Sequence, residues 1–196
     1  MTWLSWAMAH AIGGLFTGMV VLFGAVGLTA GVNKVVDSRA QFVSTDSESG
    51  DVSTPSSYSI QVSVEEPKEV LPNQIYLVGE WENEEDFVKN KSESLIIFRY
   101  SGKNRVCLLA GSGPGLIPNQ YKVVVLKIFR DGQPLRGRDI GSSVIGINED
   151  SLVMVQGYAK YELVDGVKGE KEHTLRIVIE KPGLLARGIG FNNQCD

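Results

Sequence analysis

Hydrophobic and polar positions change their pattern three times along the chain. Residues 7–32 are almost wholly apolar or small, and residues 1–33 contain no Asp, Glu, Lys or Arg. A bilayer core needs roughly 20 such residues, so the pattern predicts one transmembrane helix, with its flank, over residues 1–36. Trp3 and Trp6 stand before the run and Lys34, Asp37 and Arg39 after it, as headgroup-level indoles and water-facing charges do at span ends. A secretory signal fits less well, because no basic residue precedes the run and the run is too long.

Residues 37–57 then turn polar, and the Ser/Thr/Asp/Glu-rich stretch 44–57 has almost nothing to bury, which predicts a tether. From Tyr58 the period becomes two: Tyr58, Ile60, Val62 and Val64 alternate with Ser59, Gln61, Ser63 and Glu65, the signature of a half-buried strand. Further runs follow at 74–80, 94–100, 105–110, 120–130, 142–148, 151–164 and 172–180. Turn residues separate them, with hairpins expected at residues 101–104 and at Asp131-Gly132. Residues 80–91 read either as a helix or as an acidic loop, and 120–130, apolar on both phases, as a strand covered on both faces or bulged. The fold class expected for 58–196 is an all-β extramembrane domain, an antiparallel sandwich or jelly-roll-like.

Within the anchor the small residues sort by helical angle, about 100° apart. Ala7, Ala11, Gly14, Gly18 and Ala25 form one stripe, and Gly13, Thr17, Gly24, Gly27 and Gly31 the adjacent one, opposite a bulky face that includes Leu15, Phe16, Met19 and Phe23. A smooth stripe lets another backbone approach, so these ten residues are the expected helix-packing interface, with other transmembrane helices of a multi-subunit complex or of a homo-oligomer as partners. His10 lies at the Trp-rich end, where headgroups or a neighbouring helix would meet it.

Composition narrows the chemistry. A formal net charge of −4 argues against a phosphate-backbone binder, and no nucleic acid is expected. Cys107 and Cys195 are too few and too far apart for a disulfide framework; Cys107, inside the apolar run 106–109, reads as a buried thiol, although two cysteines can pair in an oxidising compartment. The spacing of Gly111-Ser112-Gly113-Pro114-Gly115 is that of a loop and not of a phosphate cradle. The acidic residues of 80–86 lack a calcium-loop spacing, and Lys127, Arg130, Arg136 and Arg138 surround a solvated hairpin.

His173, in phase with Leu175, Ile177 and Ile179, rims the core; no second histidine outside the anchor joins it in a metal site, so no cofactor is expected. It is the one imidazole there able to serve a nucleophile, and nothing around it in the sequence selects that role. Asn90-Lys91-Ser92 is a glycosylation sequon, meaningful only in a eukaryotic secretory pathway. Residues 152–180 with Pro182-Gly183-Leu184-Leu185 loosely resemble the closing strands of the bitopic assembly factors of type IV secretion systems, without a shared residue motif, so the resemblance implies no site.

The expected protein is therefore a single-pass structural or scaffold subunit of a membrane assembly, in contact with the lipid bilayer and without catalysis of its own. The alternatives are a membrane-tethered ligand- or protein-binding β domain, using loops 111–120 and 130–138, and a virion membrane protein. Lys34 and Arg39 follow the helix and no basic residue precedes it, which by the positive-inside rule points the β domain to the cytoplasm.

Overall fold

The computed structural model describes residues 58–84, 86–114, 121–166 and 171–196. The anchor at 1–36, its packing stripes and the tether at 37–57 lie outside them. No helix among the described residues is long and apolar enough to cross a membrane.

The described part is mostly β, an antiparallel sheet that curls on itself, with only short 3-10 turns besides. Its strands are β1 (Ser59–Ser63), β2 (Gln74–Asn83), β3 (Val88–Ser101), β4 (Val106–Ser112), β5 (Val124–Arg130), β6 (Gln133–Pro134), β7 (Ile145–Ile147), β8 (Asp150–Val155), β9 (Ala159–Val164), β10 (Glu172–Ile179) and β11 (Leu184–Phe191). A hydrogen-bonded path runs β7-β8-β5-β10-β3-β11-β4-β9. β2 lies antiparallel along β3, β1 parallel to β2, and β6 returns on β5.

The curl originates in β3. Residues 94–101 pair with β10, whereas Val88 and Lys89 pair with β11, so one strand serves two arms of the sheet. β2 follows the bend through a register shift between Gly79 and Trp81. Gly79 makes that possible: its φ is +102°, and a Cβ there would stand 2.9 Å from the Glu93 carbonyl oxygen. An extra residue on one strand of a pair bends it and raises its twist.

The inward residues of both arms meet in one core. Ile96, Phe98, Leu126, Ile128, Leu175, Ile177 and Ile179 come from one arm, and Val106, Leu108, Leu163, Leu184 and Ala186 from the other. Leu135 and Ile140 of the β6–β7 connection pack against it too, with the Ser151 hydroxyl donating to the Leu135 carbonyl at 2.8 Å.

Four local expectations change. Residues 80–91 are neither helix nor acidic loop for the most part: β2 reaches Asn83 and β3 begins at Val88, because the pairing Trp81↔Asn90 extends the ladder through the charged stretch. Residues 151–164 are two strands, since Gly157 at φ +71° turns the chain and sends β8 to β5 but β9 to β4. Residues 101–104 close a turn, Asn104 N–H to the Ser101 carbonyl at 2.9 Å, but not a hairpin, because β3 and β4 pair with other strands. β5 is covered on one face only, as Val125 stands open. Asp131-Gly132 is the hairpin expected: both residues have positive φ, and Arg130 pairs with Gln133 across them.

The 139–144 segment runs along the free edge of β9, where Gly141 N–H bonds the Leu163 carbonyl and Ser143 N–H the Glu162 carbonyl. Glu162 anchors it by accepting from the Ser142 hydroxyl at 2.6 Å and from Arg105. Those two partners hold the Glu162 carboxyl below its ordinary value of 4.5, against a smaller opposing effect of burial. The sign follows from linkage: a depressed folded-state value stabilises in full above the unfolded value, and the stabilisation disappears as pH falls through the folded one. Amides of 141–143 should therefore lose protection, relative to their intrinsic exchange rates, below pH 4.5 in the wild type, while Glu162→Gln should show weak protection already at neutral pH; protection factors from hydrogen exchange across that range check both.

Candidate functional site

Three features outside the common core carry the remaining chemistry. The first is a polar cluster at the end of β3, β5 and β10. Cross-strand pairing sets His173 opposite Tyr100, their rings 5.9 Å apart, and the Asp131 turn brings a carboxylate beside the imidazole. His173 Nδ1 lies 2.6 Å from Asp131 Oδ2, and Thr174 N–H donates to Asp131 Oδ1 at 2.9 Å. Burial works to raise the Asp131 carboxyl, but the His173 ring, the Thr174 N–H and the Lys171 charge outweigh it and leave it below the usual carboxylate range. Arg130 pairs with Asp139 in the next loop. Burial pushes the Tyr100 phenol up against the pull of Arg130, and no hydrogen bond of good geometry reaches its hydroxyl among the described residues.

An imidazole oriented by a carboxylate is half of a nucleophilic machine; the other half is a hydroxyl or thiol on the second ring nitrogen. The Nε2 edge of His173 faces Gly102, where a Cβ would lie 3.2 Å from it, and no hydroxyl or thiol among the described residues bonds it. What the cluster does hold is the β5–β6 turn, tied to β10 through His173 and Thr174.

The second feature is an outer face that is covered along part of the sheet and open along the rest. Registers place Val78, Leu95, Val178, Lys127, Leu152 and Ile145 in one outward row across β2, β3, β10, β5, β8 and β7. At the β2–β3 end Tyr76, Val78, Leu95 and Ile97 are buried, with Val70 packed on them. The chain between β1 and β2 is held there by Leu71 N–H donating to the Tyr76 hydroxyl and by the Glu66–Arg176 ion pair. Past the Lys127–Glu180 pair that cover stops. Val125 (41 % exposed), Met154 (51 %), Ile145 (46 %) and Ile147 (45 %) then form an open apolar surface, with Val125 directly opposite Met154.

The third feature is the cysteine pair. Cys107 is no free thiol: it is bonded to Cys195 across 88 residues, with Cα atoms 5.6 Å apart. The reason is tertiary. β4 and β11 pair with Gly190 opposite Cys107, and the 3-10 turn Asn192–Cys195 folds back over that position.

The other candidates of the sequence settle as follows. Ala7, Ala11, Gly13, Gly14, Thr17, Gly18, Gly24, Ala25, Gly27 and Gly31 lie outside the described residues. Gly111 and Ser112 end β4, and residues 115–120 lie outside the described residues. The basic group is divided, since Lys127 and Arg130 are spent on Glu180 and Asp139. The sequon is closed: Asn90 is fully buried, and its Nδ2 donates to the Ser92 and Lys181 carbonyls at 2.8 and 3.0 Å, so the folded domain offers no amide to a glycan. The open face is not evident from sequence; its signal is the second apolar phase of 120–130, which reads equally as a strand covered on both faces or as a bulge.

Comparison with known proteins gives little about activity. No curated protein matches the chain. Among solved structures, an active-site mutant of a family two carbohydrate esterase from Clostridium thermocellum is similar over 60 % of this chain and 31 % of that one, at 18 % identity and a TM-score of 0.43. The chain thus spans less than a third of that protein's length, and so distant a likeness bears on neither activity nor ligand. Residues 38–188, by contrast, match the family described as "Thioredoxin like C-terminal domain", a match that takes in nearly all the strands and the polar stretch before them, and the chain belongs to that family.

Proposed function

We propose that this chain is a membrane-anchored, non-catalytic structural subunit whose β domain docks a neighbouring protein domain of the same assembly. The observation that supports this most is the open half of the outer face. Burying apolar surface is favourable by roughly 25 cal/mol per Å², and the same sheet spends a loop to cover its β2–β3 end while leaving Val125, Met154, Ile145 and Ile147 in water. An apolar patch bounded by charged residues marks protein contacts, and the Lys127–Glu180 pair and Asp150 supply such a border. In this reading the curl is jelly-roll-like, and the Ala7–Gly31 small-residue stripes form a second contact within the bilayer. A ligand-binding reading rests on the exposed Tyr121 and Tyr158 rings, which lie against Gly157 and Gly111.

The test is a photo-crosslinking residue placed at Met154 or, as control, at Glu82 in the full chain in its native membrane. A discrete protein adduct is expected from Met154 alone, and Val125→Asp with Ile145→Asp should reduce it at least about tenfold, the equivalent of about 1.4 kcal/mol, with the β-type circular dichroism unchanged. Equal adducts at both positions, or an adduct indifferent to the charges, would overturn the docking face and favour the tyrosine end.

A further inference from the structure

We infer that the β domain stands on the oxidising side of its membrane, where Cys107 and Cys195 are the substrate pair of a disulfide-donating oxidoreductase. The two cysteines are positioned by contacts that do not involve sulfur. Asn192 N–H donates to the Arg105 carbonyl at 3.1 Å, Arg105 N–H donates to Asn192 Oδ1 at 3.1 Å, and Asn192 Nδ2 reaches Asn104 Oδ1 at 3.1 Å. Phe191 N–H donates to Gln194 Oε1 at 3.0 Å, and Arg105 pairs with Asp196. The backbone opposite Cys107 is also cleared for the bridge: a Cβ on Gly190 would lie 2.8 Å from Cys107 Sγ.

The bond that results is deeply set, Cys107 being fully buried and Cys195 9 % exposed. Such bridges form and persist in extracytoplasmic compartments, whereas the cytosolic thiol pool keeps cysteines reduced. The chemistry balances with a donor of that class. One cysteine thiolate attacks the donor's disulfide and forms a mixed disulfide; the second displaces the donor's thiolate; the chain loses two protons and two electrons, and the donor leaves as a dithiol. With two cysteines in the sequence only one intrachain pairing exists, so a donor suffices and no isomerase is required. Against this stand only Lys34 and Arg39, the two charges behind the cytoplasmic expectation. The side of the membrane rests on the anchored reading above; the oxidised state of the pair does not.

The experiment uses the full chain in cells quenched with acid and alkylated with a polyethylene-glycol maleimide before and after reduction, alongside protease given access to the extracytoplasmic face of that membrane. The expected result is no adduct before reduction, two after it, and removal of the β domain by that protease. Two adducts before reduction, or an oxidised domain that the protease cannot reach, would overturn the inference. An oxidised chain recovered in the soluble extracytoplasmic fraction would support it and refute the anchor instead.

Discussion

Replacing both Cys107 and Cys195 with Ala is expected to cost the domain about 2–4 kcal/mol, the usual range for a native bridge. The bond closes 88 residues, and loop-closure entropy for a ring of that size is worth roughly 4–5 kcal/mol in the denatured state. The sulfur-independent anchors of the Asn192–Cys195 turn remain in the variant, so the fold should survive. A domain of this size loses a few degrees of midpoint per kcal/mol, which puts the thermal midpoint roughly 10 °C lower. Chemical denaturation of the oxidised protein, the reduced protein and the double variant checks the figure. Reduced wild type should fall beside the variant. A difference under about 1 kcal/mol between oxidised and reduced protein would show that the β4–β11 ladder alone holds the turn.

Asn90→Ala should be as damaging, at about 3 kcal/mol or more, for a different physical reason. Asn90 spends its whole side-chain amide on backbone: two donations to the Ser92 and Lys181 carbonyls, and two acceptances, from Gly183 N–H at 2.9 Å and Leu184 N–H at 2.7 Å. It thereby joins the bend of β3 to the turn between β10 and β11, the point at which the two arms of the sheet connect. Each buried group left unpaired costs about 1–3 kcal/mol; Gly183 N–H keeps a second acceptor in the Asn90 carbonyl and the Ser92 carbonyl a second donor in the Ser94 hydroxyl, so the count is nearer two than four. Asn90→Asp discriminates the mechanism. It has the same shape and keeps both acceptances, but sets a carboxylate oxygen against two carbonyls in a buried place, and should be worse than Ala at neutral pH. If urea unfolding shows Asn90→Asp as stable as wild type, the amide is not the clasp between the two arms.

Neither residue was legible for its role from sequence. Asn90 sat in a sequon within a charged stretch that read as helix or loop, and its burial comes from residues more than 90 positions away. β11 escaped notice because Arg187, Gly188 and Gly190 interrupt the alternation: the strand carries a bulge between Ala186 and Gly188, and Gly190 is small to admit the cysteine bridge. Without β11, β4 has no partner on that side and nothing in the local pattern sets Cys107 beside Cys195.

The sequence by itself determined the β class, the inward phase of Leu175, Ile177 and Ile179, the place of His173 at the rim and the hairpin at Asp131-Gly132. All of these are local: side chains on a strand alternate with period two, and a two-residue turn needs residues that tolerate positive φ. Only the tertiary structure decided which face has a cover. Leu95 and Val125 both point outward on apolar positions, yet Leu95 is buried and Val125 is open, because the chain between β1 and β2 packs over β2 and β3 and does not cover Val125. Periodicity reports that a strand has two faces. What lies on each is set by segments distant in sequence, whose positions follow from strand order and register, and alternation along one strand carries no information about either.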